Sequence, residues 1–168
     1  MLTPRAPTEA DRQHYRAVMG HFATGVAVVT AQARREPDGA VGMTTNALCS
    51  LSLDPLQLLV CFDREARTLP VVRAARRFAV NVLRAGQADV AGQFASKIPV
   101  ERKFEDVEHS LEHGAPVLEG ALAWLVCDLR ELLPRGDHAI GIGEVVAMGH
   151  GEGEPLVWYR GSYVPPAS

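Results

Sequence analysis

Phe22-Ala23-Thr24-Gly25-Val26-Ala27-Val28-Val29-Thr30, then a turn signal at Pro37-Asp38-Gly39, then Gly42-Met43-Thr44-Thr45-Asn46-Ala47-Leu48-Cys49-Ser50-Leu51-Ser52-Leu53-Asp54-Pro55: this stretch decides the fold. Val26 to Ala33 and Ala40 to Thr44 flank the turn signal and read as a buried hairpin. The hairpin delivers small hydroxyl and amide residues, Thr44, Thr45 and Asn46, at its far end. A second apolar run then leads into Val60-Cys61-Phe62-Asp63-Arg64-Glu65-Ala66-Arg67-Thr68, which ends in two arginines beside a threonine. That order suits a protein that holds a flat, polar-edged ring in one place and a phosphate a short distance away.

Working outward, Thr8-Glu9-Ala10-Asp11 reads as a capping box that starts a helix running to about Met19. Gly20 stops it, and Tyr15, Val18 and Met19 are expected to face inward. Leu48, Ser50 and Ser52 alternate with Cys49, Leu51 and Leu53, the period of a strand with one buried face. Leu56 to Phe62 is a second strand, apolar at nearly every position, and Phe78-Ala79-Val80-Asn81-Val82-Leu83 is a third. Thr68 to Ala75 has helical spacing with Pro70 in its first turn, and Gln87 to Ser96 forms a short helix with Val90, Ala91 and Phe94 on one side.

The second half is less broken. Ala121 to Leu133 and Ala139 to Met148 are long strands joined at Pro134-Arg135-Gly136-Asp137. Gly141 and Gly143 mark a bulge or a close backbone approach. Pro155 to Tyr163 makes a final short strand and a bend. About seven strands with short helices between them, and no repeated βαβ unit, give a mainly β fold, best satisfied by an antiparallel barrel. The chain reads as a single domain over 1–168, with flexible ends at 1–9 and 165–168.

Composition excludes several classes. The net charge is −3 and no basic block stands out, so no nucleic-acid partner is expected. The longest apolar runs are strand-sized, so no membrane span is expected, and Met1 to Ala10 lacks the apolar core of a signal peptide. Cys49, Cys61 and Cys127 are odd in number, widely spaced and set in apolar contexts, as reduced core thiols of a cytoplasmic protein would be. His14, His21, His109, His113 and His150 lack metal-ligand spacing, and no metal is expected.

The chain resembles the flavin reductase family, whose members fold as an FMN-binding split β-barrel with short peripheral helices. The resemblance runs from Phe22-Ala23-Thr24-Gly25-Val26 through Ser50-Leu51-Ser52-Leu53-Asp54-Pro55, Arg67-Thr68-Leu69 and Phe78-Ala79-Val80-Asn81-Val82-Leu83. It continues through Leu118-Glu119-Gly120-Ala121-Leu122-Ala123-Trp124-Leu125, Gly136-Asp137-His138 and Gly143-Glu144-Val145-Val146 to Tyr159-Arg160-Gly161. No single piece is diagnostic; their order and spacing are. Two positions depart from the family pattern: Leu56 stands where a second proline is common, and Ala66 stands where a serine often precedes Arg-Thr. The missing hydroxyl at Ala66 either weakens flavin binding or shifts the expected phosphate contacts onto Arg64, Arg67 and Thr68.

The resemblance implies an NAD(P)H:flavin oxidoreductase that takes a hydride from NADH or NADPH to FMN or FAD and supplies reduced flavin to a partner monooxygenase. Such chemistry needs aligned rings and donors along the pyrimidine edge, where negative charge develops, more than it needs an acid or a base. The donors are expected from Met43, Thr44, Thr45, Asn46 and Ala47, with Ser50 nearby; the same residues would also suit a polar strand end that caps a turn. The phosphate is expected at Asp63, Arg64, Ala66, Arg67 and Thr68, with Ser96 and Lys97 reaching it or an adenine, and Phe104 walling the ring. His138 is implied at the nicotinamide face as the catalytic residue, with Trp158, Tyr159 and Arg160 closing the same pocket. A local turn histidine and ordinary strand aromatics are the plainer readings of those positions. The family resemblance also implies a homodimer, which would bury the run from Leu56 to Phe62. The alternatives are a flavin carrier without turnover and a split-barrel oxidase that uses bound FMN on another small molecule.

Overall fold

The computed structural model describes residues 6–33 and 39–164. The turn expected at Pro37-Asp38-Gly39 therefore lies, Gly39 excepted, outside the described residues, as do 1–5 and 165–168 of the two ends expected to be flexible. The elements in chain order are α1 (Glu9–Met19), β1 (Thr24–Gly25), β2 (Ala27–Gln32), β3 (Ala40–Thr45), β4 (Leu48–Leu53), β5 (Leu56–Asp63) and α2 (Thr68–Ala75). They are followed by β6 (Arg77–Val82), α3 (Ala88–Ala95), β7 (His109–Glu112), β8 (Ala115–Leu118), β9 (Ala123–Arg135), β10 (His138–His150), β11 (Val157–Tyr159) and β12 (Ser162–Val164).

The main sheet has seven antiparallel strands in the order β3-β2-β6-β9-β10-β5-β4. Its two edge strands, β3 and β4, are neighbours in sequence, joined only by Asn46 and Ala47. With two residues between them, Thr45 and Leu48 lie at most about 11 Å apart, so the sheet has to curl until its edges come near each other. They come together without pairing, and the result is an antiparallel barrel split along the β3–β4 seam. The hairpin of β2 and β3 pairs Ala27 with Thr45 and Gln32 with Ala40, as the alternation in the sequence demands.

The core lies inside the curl, where Val29, Val60, Phe62, Phe78, Val80 and Leu129 are buried. Phe62 and Phe78 meet edge to face, with centroids 6.0 Å apart. The two rings explain the glycines of β10. A Cβ at Gly141 would lie 2.7 Å from Phe62, and one at Gly143 would lie 2.6 Å from Phe78 and 2.8 Å from the Cβ of Cys127. The β9–β10 register also slips between Ile142 and Gly143, the bulge expected there. The β9–β10 turn is tighter than expected, because Pro134 and Arg135 still pair in the strand and Gly136, at φ +58°, makes the bend with Asp137.

Four expectations need correction. Helix α1 has its capping box, with Thr8 N–H donating to Asp11 Oδ2 at 2.8 Å, but Tyr15, Val18 and Met19 are 66%, 55% and 47% exposed. The helix is anchored at its C-terminal end, where Arg160 N–H donates to the Gly20 carbonyl at 2.9 Å, so its apolar stripe has no layer of the same chain beneath it. Strand β4 likewise turns Cys49, Leu51 and Leu53 outward, because an edge strand of a half-open barrel has nothing folded over it. Of the three cysteines only Cys127 is a core thiol, pushed up to about 12 by burial and by the nearby Asp128; Cys49 is exposed and Cys61 half-buried.

Last, the described residues form twelve strand segments, more than the seven expected. The β7–β8 hairpin turns through His113 and Gly114, both at positive φ, and four-residue strands are too short for alternation to reveal. It is held from beneath by Asn81, fully buried in β6. The Asn81 amide donates to the Val28 carbonyl and to Thr30 Oγ1, each at 3.1 Å, while its oxygen accepts from Leu118 N–H at 2.9 Å. The Thr30 hydroxyl in turn donates to the Pro116 carbonyl.

Candidate functional site

A cleft of about 520 Å³ opens between the end of β3, the loop from β5 into α2, and the corner that follows α3. Met43, Thr44, Asp63, Ala66, Arg67, Thr68, Ser96 and Lys97 line it, so the structure gathers eight of the expected residues around one space. The β5–α2 loop is built to present Arg67. The Asp63 carboxylate accepts from Glu65 N–H at 2.8 Å and the Asp63 carbonyl from Ala66 N–H at 3.0 Å, closing a tight turn that leads into the buried Thr68. Arg67 then donates to the Ile98 carbonyl, tying this loop to the α3 corner across the cleft.

Phe94, Val100 and Lys103 also line the cleft and were not expected there. Phe94 takes the wall position that the sequence suggested for Phe104. The Phe104 ring stands behind it, edge to face at 5.0 Å, packed also on His109, so it supports the wall without lining the cleft. The ring of Phe94 comes so close to β3 that a Cβ on Gly42 would lie 2.5 Å from it. Lys103 is only 6% exposed and donates from Nζ to the Phe94 carbonyl. Burial pushes its amine down, and the charge of Arg67 adds to that. Ser96 is committed locally, its hydroxyl donating to the Gln93 carbonyl at 2.7 Å.

Arg64 falls outside the residues lining the cleft. Its guanidinium donates to the Gly136 carbonyl at 3.3 Å and its N–H to the Asp137 carbonyl at 3.0 Å, because it follows directly on the last β5 residue, Asp63, which pairs with His138. Ser50 lies on the exposed outer strand β4 opposite Leu58, also away from the cleft.

A smaller cavity of about 240 Å³ continues from the cleft along β3, lined by Thr44, Thr45, Asn46, Ala95, Trp158 and Tyr163. The polar residues here are pre-set. The Thr44 hydroxyl donates to the Ala91 carbonyl at 2.6 Å, the Thr45 hydroxyl oxygen accepts from Ala47 N–H at 3.0 Å, and the Asn46 amide donates to Thr24 Oγ1 at 3.1 Å. The expected nicotinamide residues are not gathered with Trp158. Tyr159 packs edge to face on His21 at 6.3 Å, and Arg160 lines a separate cavity with Arg16 and His21. His138 sits at the β9–β10 turn, beside Asp63 at the opposite flank of the cleft, its Nδ1 2.7 Å from Asp137 Oδ1. That contact is the main reason the Asp137 carboxyl is held below its ordinary value. The separation follows from the pairing: β11 joins β1 while β10 joins β5.

A cleft with a polar strand edge on one side and cations on the other fits a flat ring with an attached phosphate: small residues border the ring space, and donors line the anionic end. No group of three or more metal-ligating side chains occurs among the described residues. Residues 19–167 match the family described as flavin reductase like domain. The chain is 42% identical over 154 residues to the reductase component of a 4-nitrophenol 4-monooxygenase/4-nitrocatechol 2-monooxygenase of Rhodococcus opacus, covering 91% of this chain and 80% of that one. It is 40% identical over 158 residues to a "probable flavin reductase" of Rhizobium meliloti, covering 93% of this chain but only 49% of that longer relative. An NADH:FAD oxidoreductase of Streptomyces globisporus, solved with NAD and FAD fragments, superimposes with a TM-score of 0.86 at 34% identity, over 98% of each chain. Sequence, fold and site geometry agree: the chain belongs to the flavin reductase family.

Proposed function

We propose that this protein is an NAD(P)H:flavin oxidoreductase that works on FMN or FAD and supplies reduced flavin to a flavin-dependent monooxygenase. The observation that carries the reading is the convergence of Met43 and Thr44, the Asp63–Thr68 loop and the Ala95–Lys97 corner on one cleft with cations at one end. Flavin held in this cleft would supply the hydride acceptor for the reduced nicotinamide. The residues from Met43 to Ala47 border the polar ring edge with backbone N–H groups and small side chains, which favours the charge that develops there. Arg67, Thr68 and Lys97 hold the phosphate end, and Ser96 shapes the corner beside it. Trp158 covers the β3 side of the ring space. His138 orients the nicotinamide from the Asp63 flank, and Arg160 meets the dinucleotide phosphates from its own cavity. The partner assignment is supported by the Rhodococcus opacus relative, and the use of NADH and FAD by the Streptomyces globisporus one.

Three further parts of the reading rest on the chain itself. It acts as one domain over 1–168, since one continuous sheet links β3 to β10. It works as a homodimer, for which the exposed apolar side chains of Tyr15, Val18, Met19, Phe22, Leu51 and Leu53 offer a surface, whereas Leu58, Val60 and Phe62, expected to be buried by the second copy, lie in the chain's own core. Its cysteines are unpaired, in keeping with the cytoplasm, and no helix among the described residues is long and apolar enough to cross a membrane. The test is NADH and NADPH oxidation by the purified protein with and without FMN or FAD, with light scattering for mass. Oxidation that saturates with added flavin supports the reading; flavin bound without oxidation moves the protein to flavin carriage.

A further inference from the structure

We propose that Lys103 is a further cation of the phosphate seat, facing Arg67 across the cleft so that a phosphate monoester bridges the two. The proposal rests on the flavin reading above and adds to it a residue that its motifs do not contain. A lysine that is 6% exposed is rare without a carboxylate, and among the described residues Lys103 has none. Among the described residues the one partner for its ammonium is the Phe94 carbonyl, which leaves two of its three N–H donors free for a ligand on a group that lines the cleft.

The neighbours repeat the pattern. Arg67 has a carbonyl partner at Ile98 and, among the described residues, no carboxylate, although Asp63 and Glu65 line the same cleft. Asp63 is turned onto the N–H of Glu65, and the neighbouring Arg102 and Glu105 neutralise each other at 3.0 Å. The charge of Arg67 weighs on the Lys103 amine, a repulsion that an anion between them would reverse. The backbone of Lys103 is also fixed in advance. Gln93 Nε2 donates to the carbonyls of Lys103 at 3.1 Å and Glu105 at 2.8 Å, clamping the turn that carries the lysine onto α3. The seat is thus organised before any ligand arrives, which is what tight phosphate binding requires.

The test compares FMN with riboflavin, which lacks the phosphate, by fluorescence titration of the wild type, Lys103→Met and Lys103→Arg. Losing one charge-assisted contact should weaken FMN roughly ten- to a hundredfold in Lys103→Met, with riboflavin changed less than about twofold and Lys103→Arg intermediate. Equal weakening of both ligands, or of neither, would overturn the proposal. Inorganic phosphate gives an independent readout through the melting temperature. It should stabilise the wild type and not Lys103→Met, and equal stabilisation of both would count against Lys103. A wild type that responds to phosphate but binds neither flavin would refute the flavin reading and leave the anion seat standing.

Discussion

Two regions of this molecule carry buried or half-buried polar groups, and they treat them in opposite ways. Under the β7–β8 hairpin, Asn81 spends its amide on Val28 and Thr30 and its oxygen on Leu118, and Thr30 completes the set at Pro116. At the cleft, Arg67 and Lys103 have, among the described residues, one backbone carbonyl each and no counter-charge. A fully matched network fixes which chain segment lies where; a half-matched pair of cations keeps binding energy for something that arrives later. The closed side belongs to folding and the open side to the ligand.

The comparison breaks first at Asn81. Asn81→Leu strips two donated bonds and leaves the Leu118 N–H buried without a partner, so it should cost about 3 kcal/mol or more. Urea denaturation reads this as a lower midpoint, while flavin affinity of the folded protein stays put. A loss below about 1 kcal/mol would mean that the hairpin does not depend on this network.

Gly143→Ala comes next. Its new methyl would sit 2.6 Å from Phe78 and 2.8 Å from Cys127 Cβ in the dry core, where neither neighbour has room to retreat. Overpacking of this kind costs about 1–3 kcal/mol, again as a fall in the urea midpoint. On the open side, Asn46→Leu should behave in the reverse manner. Asn46 is exposed and so is its one bond to Thr24, so stability should hold within about 0.5 kcal/mol while flavin affinity falls several-fold. Unchanged affinity would remove Asn46 from the ring edge.

The same division explains what the sequence made legible. The hairpin of β2 and β3, the Thr8 cap, the glycines of β10 and the Asp63–Thr68 loop are local signals, and each came out where its spacing put it. What misled was apolar surface that the chain's own layers leave uncovered. The stripes of α1 and β4 have the right period for a buried face, yet the fold leaves Tyr15 and Leu53 exposed, the latter at 84%. Period states that a face is apolar without stating what covers it. In the site, Arg64 and Arg67 look equivalent in sequence, and only the β5–β10 pairing sends one to the Gly136 carbonyl and the other into the cleft. Lys103 gave no signal because its importance lies in its burial, and a lysine between Arg102 and Phe104 reads as surface.

The smallest expected effect tests whether the β9–β10 turn belongs to the open side. Asp137 is held below its ordinary carboxylate value chiefly by the hydrogen bond from His138, then by its own backbone N–H and by the imidazole's charge. A depressed carboxyl contributes stability that is present above its unfolded value, near 3.8, and is lost as pH falls through the lower folded value. The side chain is 94% exposed, so solvent and salt screen the pair and the gain is slight. Comparing wild type with Asp137→Asn in urea, the midpoints should differ a little at weakly acidic pH and merge in stronger acid, where the carboxyl is protonated and resembles the amide. Added salt should narrow the gap. A gap that persists in strong acid would trace to turn geometry and not to charge. The Arg64 N–H bond to the Asp137 carbonyl, at 3.0 Å, would then make this turn part of the fold's framework, and His138 a residue held there for folding.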